Sequence, residues 1–218
     1  MQGSPRHYFR IHDAVSFVNH HTVFSKKPLK KEFSTLRITG GFLKGRSIIL
    51  LEKSGVRYTS AKVREAIFNI LGDMEGKKVL DLFAGSGSFT IEALSRGASS
   101  ATSVEIDREM AKILERNLTS LDLKNSCHVL AIDVVYAVPF LAKKAISYDI
   151  IFMDPPYEKG HVGEAIKLIT TNRIYHADTF IVIEHSKREI PVFSDLKGWH
   201  QVNSKGYGDT LITLFQAG

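Results

Sequence analysis

Cysteine is almost missing from this 218-residue chain: Cys127 stands alone. That excludes an internal disulfide and any cysteine-rich zinc site, and it fits a reducing compartment. Long apolar runs are missing too. No stretch approaches the roughly 18–20 apolar residues of a membrane span, so a soluble protein without a membrane partner is expected. There is no internal repeat and no low-complexity tract. What is present is ordinary for a globular protein, with 44% hydrophobic and 24% charged residues, which excludes wholesale disorder. The length suits one main domain with an appendage.

Acidic residues are scarce at the front. Residues 1–64 hold 13 Lys and Arg against 3 Asp and Glu, whereas the other 154 hold 16 against 20. A basic front on a slightly acidic body suggests a polyanion-binding module joined to a chemical domain, with a solvated tail as the alternative. Residues 1–35 lack clean periodicity and read as a flexible basic extension. Their histidines (His7, His12, His20, His21) are joined by no carboxylate or cysteine at a ligand spacing, so no metal site is expected.

Residues 36–51 read as two short strands around glycine-permitted turns, with Arg37, Lys44 and Arg46 on or beside the hairpin. A helix follows, capped by Thr59 or Ser60, striped by Val63, Ile67, Ile70 and Leu71 and closed by Gly72. Arg64 is left as a polar member. From Lys77 onward strands and helices alternate, with strand-like runs at Lys78–Phe83, Thr102–Ile106, His128–Ile132, Asp149–Met153 and Phe180–Glu184. This pattern predicts a parallel sheet covered on both faces. Trp199–Ser204 and Thr210–Phe215 flank a glycine-containing turn and predict an antiparallel hairpin at the sheet edge.

The first of these strands runs into Asp81-Leu82-Phe83-Ala84-Gly85-Ser86-Gly87. Two glycines one residue apart, between a buried strand and a helix, let the backbone pass close to a ligand. Glu105, twenty residues beyond Gly85, can accept hydrogen bonds from both hydroxyls of a ribose. An adenosine-containing cofactor is therefore expected, against the alternative of a purely structural turn. Thr90 stands where a dinucleotide fingerprint wants glycine or alanine, and no P-loop pattern exists. Asp81 adds a negative charge that repels phosphates and suits the ammonium and sulfonium of S-adenosylmethionine. Asp133 either hydrogen-bonds the adenine amino group or caps a helix.

The fourth strand delivers Asp154-Pro155-Pro156-Tyr157 to the same sheet edge. An exocyclic or amide nitrogen is a poor nucleophile because its lone pair is delocalised. Acceptors on its N–H groups, here the Asp154 side chain and the Pro155 carbonyl, favour the geometry in which it can attack. Pro156 stiffens the loop, and Tyr157 can stack on the planar target. The expected reaction is an in-line displacement on an S-methyl group, relying chiefly on positioning. Cys127, Trp199 and Phe215 read as packing residues, and His161 and His185 as surface or hydrogen-bonded structural residues.

The glycine turn, Glu105 and the Asp154–Tyr157 loop resemble the class I S-adenosylmethionine-dependent methyltransferases that act on amino nitrogens. Leu36–Gly41 with Lys44-Gly45-Arg46, Arg57-Tyr58-Thr59, Val63–Asn69 and Glu92–Ala98 narrow the resemblance to the RsmD family, bacterial 16S ribosomal RNA guanine-N2 methyltransferases. It spans roughly residues 36–216. It departs at Tyr58, where the family usually has proline, and over residues 1–35, which have no counterpart. The resemblance implies a Rossmann-like α/β fold with a seven-stranded mixed sheet, mostly parallel with a C-terminal antiparallel hairpin. It also implies a small basic RNA-binding module over 36–74 and a methyltransferase domain over 75–218.

The cofactor positions are then Asp81, Phe83, Ala84, Gly85, Ser86, Gly87, Glu105, Ile106, Asp133 and Asp154. Arg37, Lys44, Arg46 and Arg64 become RNA contacts, with Gly40 and Gly41 keeping the hairpin close to RNA. A monomeric cytoplasmic enzyme acting on 16S rRNA in an assembling 30S subunit is implied, yielding S-adenosylhomocysteine and using no metal. The rival readings are DNA adenine-N6 methylation, methylation of a protein glutamine, and a non-catalytic RNA-binding assembly factor.

Overall fold

The computed structural model describes residues 32–53, 58–157, 160–188 and 196–218. Residues 1–31 of the tail expected over 1–35, and Arg57, lie outside the described residues. Strands β1 (Glu32–Arg37) and β2 (Ser47–Glu52) pair antiparallel, with Arg37 opposite Ser47. The hairpin therefore begins four residues before the sequence reading placed it. Helix α1 (Ala61–Leu71) is capped by Ser60, whose side chain accepts from the Val63 amide, and ends at Gly72 with φ 73°.

Strands β3 (Lys78–Asp81), β4 (Ser100–Val104), β5 (Cys127–Leu130), β6 (Tyr148–Met153) and β7 (Tyr175–Ser186) are joined by helices α2 (Ser88–Ser95), α3 (Arg108–Ser120), α4 (Val134–Lys143) and α5 (His161–Asn172). Strands β8 (Trp199–Tyr207) and β9 (Thr210–Ala217) complete a seven-stranded sheet in the order β5-β4-β3-β6-β7-β9-β8. All pairs are parallel except those made by β9. The carboxyl ends of β3, β4, β5 and β6 share one edge, and the order reverses between β4, β3 and β6, where such sheets bind ligands. No helix among the described residues is long and apolar enough to cross a membrane.

Residues on alternate sides of each strand build two apolar layers. One holds Leu80, Ile151, Ile181, Ile183 and Phe215 against α4 and α5. The other holds Val79, Phe152 and Val182 against α2 and α3, and it also takes in Ile38, Leu43, Ile48, Leu50, Ile67 and Phe68. The hairpin and α1 thus share a core with the sheet, and the boundary drawn at residue 74 does not divide it. Phe89 and Phe152 stack at 4.8 Å, and Phe68 packs 5.6 Å from Phe152.

Polar groups fasten the same junction. Glu92 on α2 is 1% exposed and accepts from the Thr39 amide at 2.9 Å and from Arg96 Nε at 3.0 Å. Arg64 corrects the sequence reading. Read as an RNA contact, it is fully buried, donating to the Thr59 carbonyl at 2.8 Å and the Arg37 carbonyl at 2.6 Å, with Glu92 3.7 Å from Nε. A buried guanidinium tied to two carbonyls and a carboxylate holds the chain and has no face for phosphate. Gly40 and Gly41 are corrected likewise. A Cβ on Gly41 would lie 1.7 Å from the Ser95 carbonyl oxygen and one on Gly40 2.3 Å from the Arg96 guanidinium. The pair permits docking on the end of α2, not approach to RNA.

Candidate active site

Because β3 stops at Asp81, the chain turns through Phe83–Gly87 over the sheet edge before α2 begins. Gly85 takes φ +54° and Gly87 φ +90°, conformations that favour glycine. A Cβ on Gly85 would meet nothing within 4 Å, so that side of the turn is open. Gly87 has a different duty: a Cβ there would strike Leu114 on α3 at 2.2 Å. It caps α2, and only Phe83, Ala84, Gly85 and Ser86 of the turn line the pocket.

The pocket measures about 890 Å³ and lies over the reversal of strand order. Glu105 follows β4 directly. Its carboxylate accepts from the Gly85 amide at 2.7 Å and the Asp107 amide at 2.8 Å, which fixes the acid against the glycine turn. Burial pushes its pKa up, while those two amides pull it back. Ile106, Ile132 and Asp133 line the same wall, and Asp133 also caps α4 by accepting from the Val135 amide at 3.0 Å. Both readings of Asp133 are therefore compatible with its position.

Asp81 does not reach the pocket. Its carboxyl is 2% exposed and turned inward, accepting from Thr90 Oγ1 at 2.9 Å. Burial, first, pushes its pKa up to about 7, against hydrogen bonds from Thr90 and Phe83 that lower it. The expected charge facing a sulfonium is corrected on this point. Thr90, the residue that spoils a dinucleotide fingerprint, is the partner that Asp81 needs.

The Asp154–Tyr157 loop forms the facing wall. Pro155 is buried, Pro156 exposed, and Asp154 and Tyr157 half-buried. The Tyr157 hydroxyl lies 2.9 Å from Glu184 Oε1 and 3.0 Å from Thr210 Oγ1. Burial, above all, and the nearby Glu184 and Asp154 carboxylates push its pKa up. Thr59 Oγ1 donates to Glu184 Oε2 at 2.7 Å and lies 3.5 Å from Asp154 Oδ2.

Lys53, Tyr58 and Thr59, from the segment between β2 and α1, close another side of the pocket. Tyr58 donates to the Leu51 carbonyl at 2.6 Å, and Lys53 pairs with Asp107. The sequence reading missed Lys53, Tyr58 and Glu184 as members of the site and gave Thr59 only a capping role. The available signal was Glu184 at the end of a strand adjacent to the one bearing Asp154. His161 lines the pocket mouth, whereas His185 is buried and bonded to Thr213 at 3.1 Å, away from it. Cys127 is half-buried, its thiol pushed up to about 11 by desolvation. Arg37, Lys44 and Arg46 stand exposed on the hairpin, Arg46 donating to the Ser120 carbonyl at 3.0 Å.

A mixed sheet in this order, parallel but for the pairs made by β9, a glycine turn after its central strand and an acid held against that turn define a class I S-adenosylmethionine-dependent methyltransferase. A family model described as conserved hypothetical protein 95 matches residues 36–216. Ribosomal RNA small subunit methyltransferase D of Escherichia coli strain K12 is 34% identical, the match covering 88% of this chain and 94% of that one. Its namesake in Haemophilus influenzae is 30% identical over 83% and 93%. The solved structure of yhhF from Escherichia coli superposes with a TM-score of 0.70 at 28% identity, covering 84% of this chain and 98% of its own. The chain belongs to the RsmD family of ribosomal RNA small subunit methyltransferases.

Proposed function

We propose that the protein methylates the exocyclic N2 amine of a guanine in 16S rRNA, using S-adenosylmethionine, as a cytoplasmic monomer acting on an assembling 30S subunit. The observation that carries this is the placing of the Asp154–Tyr157 loop across one pocket from the glycine turn and Glu105. The pocket has the size and mixed lining of a cofactor site. Gly85 leaves its backbone open, Glu105 offers a carboxylate for ribose hydroxyls, Ile106 and Ile132 offer apolar walls, and Asp133 an acceptor. The residues present fit the group. When bound, S-adenosylmethionine supplies an electrophilic methyl carbon.

The chain's own groups do the rest. Asp154 and the Pro155 carbonyl accept the amine hydrogens, which disfavours delocalisation of the nitrogen lone pair. Asp154 also stabilises the positive charge that develops on nitrogen. Tyr157 stacks against the purine, and Pro156 restricts the loop. Arg37, Lys44 and Arg46 contact phosphates from the hairpin. Radiolabelled cofactor incubated with 30S subunits from a strain lacking the gene should yield N2-methylguanosine after digestion to nucleosides. Asp154→Ala should lower turnover by at least about 100-fold, a loss well beyond any change in S-adenosylhomocysteine affinity. N6-methyladenosine as the product, or normal turnover by the variant, would overturn the assignment.

A further inference from the structure

Glu184 is 8% exposed and stands on the sheet face where its neighbour Val182 packs into the apolar layer. A carboxylate there is costly unless its oxygens are hydrogen-bonded. Both are. Oε1 lies 2.9 Å from the Tyr157 hydroxyl and Oε2 2.7 Å from the Thr59 hydroxyl. The parallel register explains the placement. Met153 pairs with Ile183, so the next residue on each strand is Asp154 on one and Glu184 on the other.

The donors sort themselves. Thr59 has one hydroxyl proton, and the 2.7 Å contact with Glu184 claims it over the 3.5 Å approach to Asp154. The Tyr157 hydroxyl donates its proton to the carboxylate and accepts from Thr210 at 3.0 Å. Thr59 is itself held by Arg64 through its carbonyl. Glu184 is therefore where the catalytic loop, the last sheet strand and the segment entering α1 meet.

We propose that Glu184 is a positioning residue: its carboxylate, shared between the Tyr157 and Thr59 hydroxyls, fixes the tyrosine ring beside the loop's acceptor oxygens and locks the loop to the segment entering α1. This rests on the reading of Tyr157 as the stacking surface for the target base. Glu184→Gln keeps the volume but replaces one charged acceptor oxygen with an NH2 donor, so one hydroxyl must turn round to accept and the charge-assisted strength of both bonds is lost. Its turnover on 30S subunits should fall roughly 10–100-fold, with KM and S-adenosylhomocysteine affinity within twofold. Tyr157→Phe should fall similarly, and the double variant should be no slower than the slower single one. Amide exchange of the peptide covering residues 150–157 should speed up in Glu184→Gln without any RNA.

Thr59→Val removes the other donor and serves if Glu184→Gln does not fold; it too should speed that exchange. Unchanged exchange in the folded variant overturns the proposal, as do additive losses in the double variant or a parallel loss of cofactor affinity. Should wild type methylate an amine other than guanine N2, the assigned function fails. The exchange rates and the additivity of turnover on that other amine would still judge Glu184.

Discussion

The Asp81 carboxyl meets almost no water, and its pKa rises to about 7 from the 3.8 of an unperturbed aspartate. Between about pH 4 and pH 7 the native state therefore holds a proton that the unfolded chain has released. Stability contributed by this group falls as pH rises through that window and levels off above it. Asp81→Asn should flatten the dependence and leave the variant more stable than wild type at pH 8, by roughly 4 kcal/mol at most. Melting temperatures of both proteins at pH 5 and pH 8 check this; identical pH dependence would show that Asp81 stays charged. From the sequence, Asp81 is recognisable as an acid beside the glycine turn. Its direction is not, because the partner Thr90 that helps to draw it inward lies nine residues away on α2. Arg64 is the sharper case. It sits four residues before Phe68 on α1, in line with the buried stripe, and that spacing was a usable signal outweighed by the basic composition around it.

Elements were easier to read than single side chains. Apolar runs bounded by glycine and capping residues locate the inner strands of the large sheet, because burial on both faces leaves little alternative to a β-rich, apolar sequence. The edge strand β8 is instead polar and mostly exposed, and is legible only from the glycine turn before Thr210. The ends moved by one to five residues where pairing partners decide them, as at β7, which extends to Tyr175 and Ser186 along β6 and β9. What periodicity cannot show is which elements touch at a distance. The hairpin docks on α2 through the Phe42 amide to the Ser95 carbonyl at 2.8 Å and through Ser95 Oγ to the Gly40 carbonyl at 2.6 Å. Gly41→Ala should force that contact apart as well as strain φ +72°, and cost roughly 2–4 kcal/mol. Denaturant unfolding measures it. A loss below about 0.5 kcal/mol, typical of an unconstrained surface site, would mean that the hairpin is not held against α2.

At the scale of the molecule, and among the described residues, the basic front keeps only part of its exposed charge. Arg64 is withdrawn into the core, while Arg37, Lys44 and Arg46 remain outside on an element rigidly joined to the pocket. Under the proposed function, a basic arm at a fixed offset from the Asp154–Tyr157 loop would select RNA by shape as well as charge. Neutralising Arg37 and Lys44 together should weaken RNA binding and reduce the slope of log affinity against log salt by about 2. Filter binding over a salt series reads this directly, and an unchanged slope would place the RNA elsewhere.

Strand β9 lies between β7 and β8 although β8 precedes it in the chain. A ribosome halted before Thr210 would therefore carry a nascent polypeptide in which Trp199–Tyr207 has no ladder to join and the outer side of β7 is bare. Such an open row of amides invites pairing with other chains. The same truncation removes the Thr210 hydroxyl from Tyr157, so incomplete synthesis leaves a product that is both prone to aggregate and unfinished along the wall of its pocket.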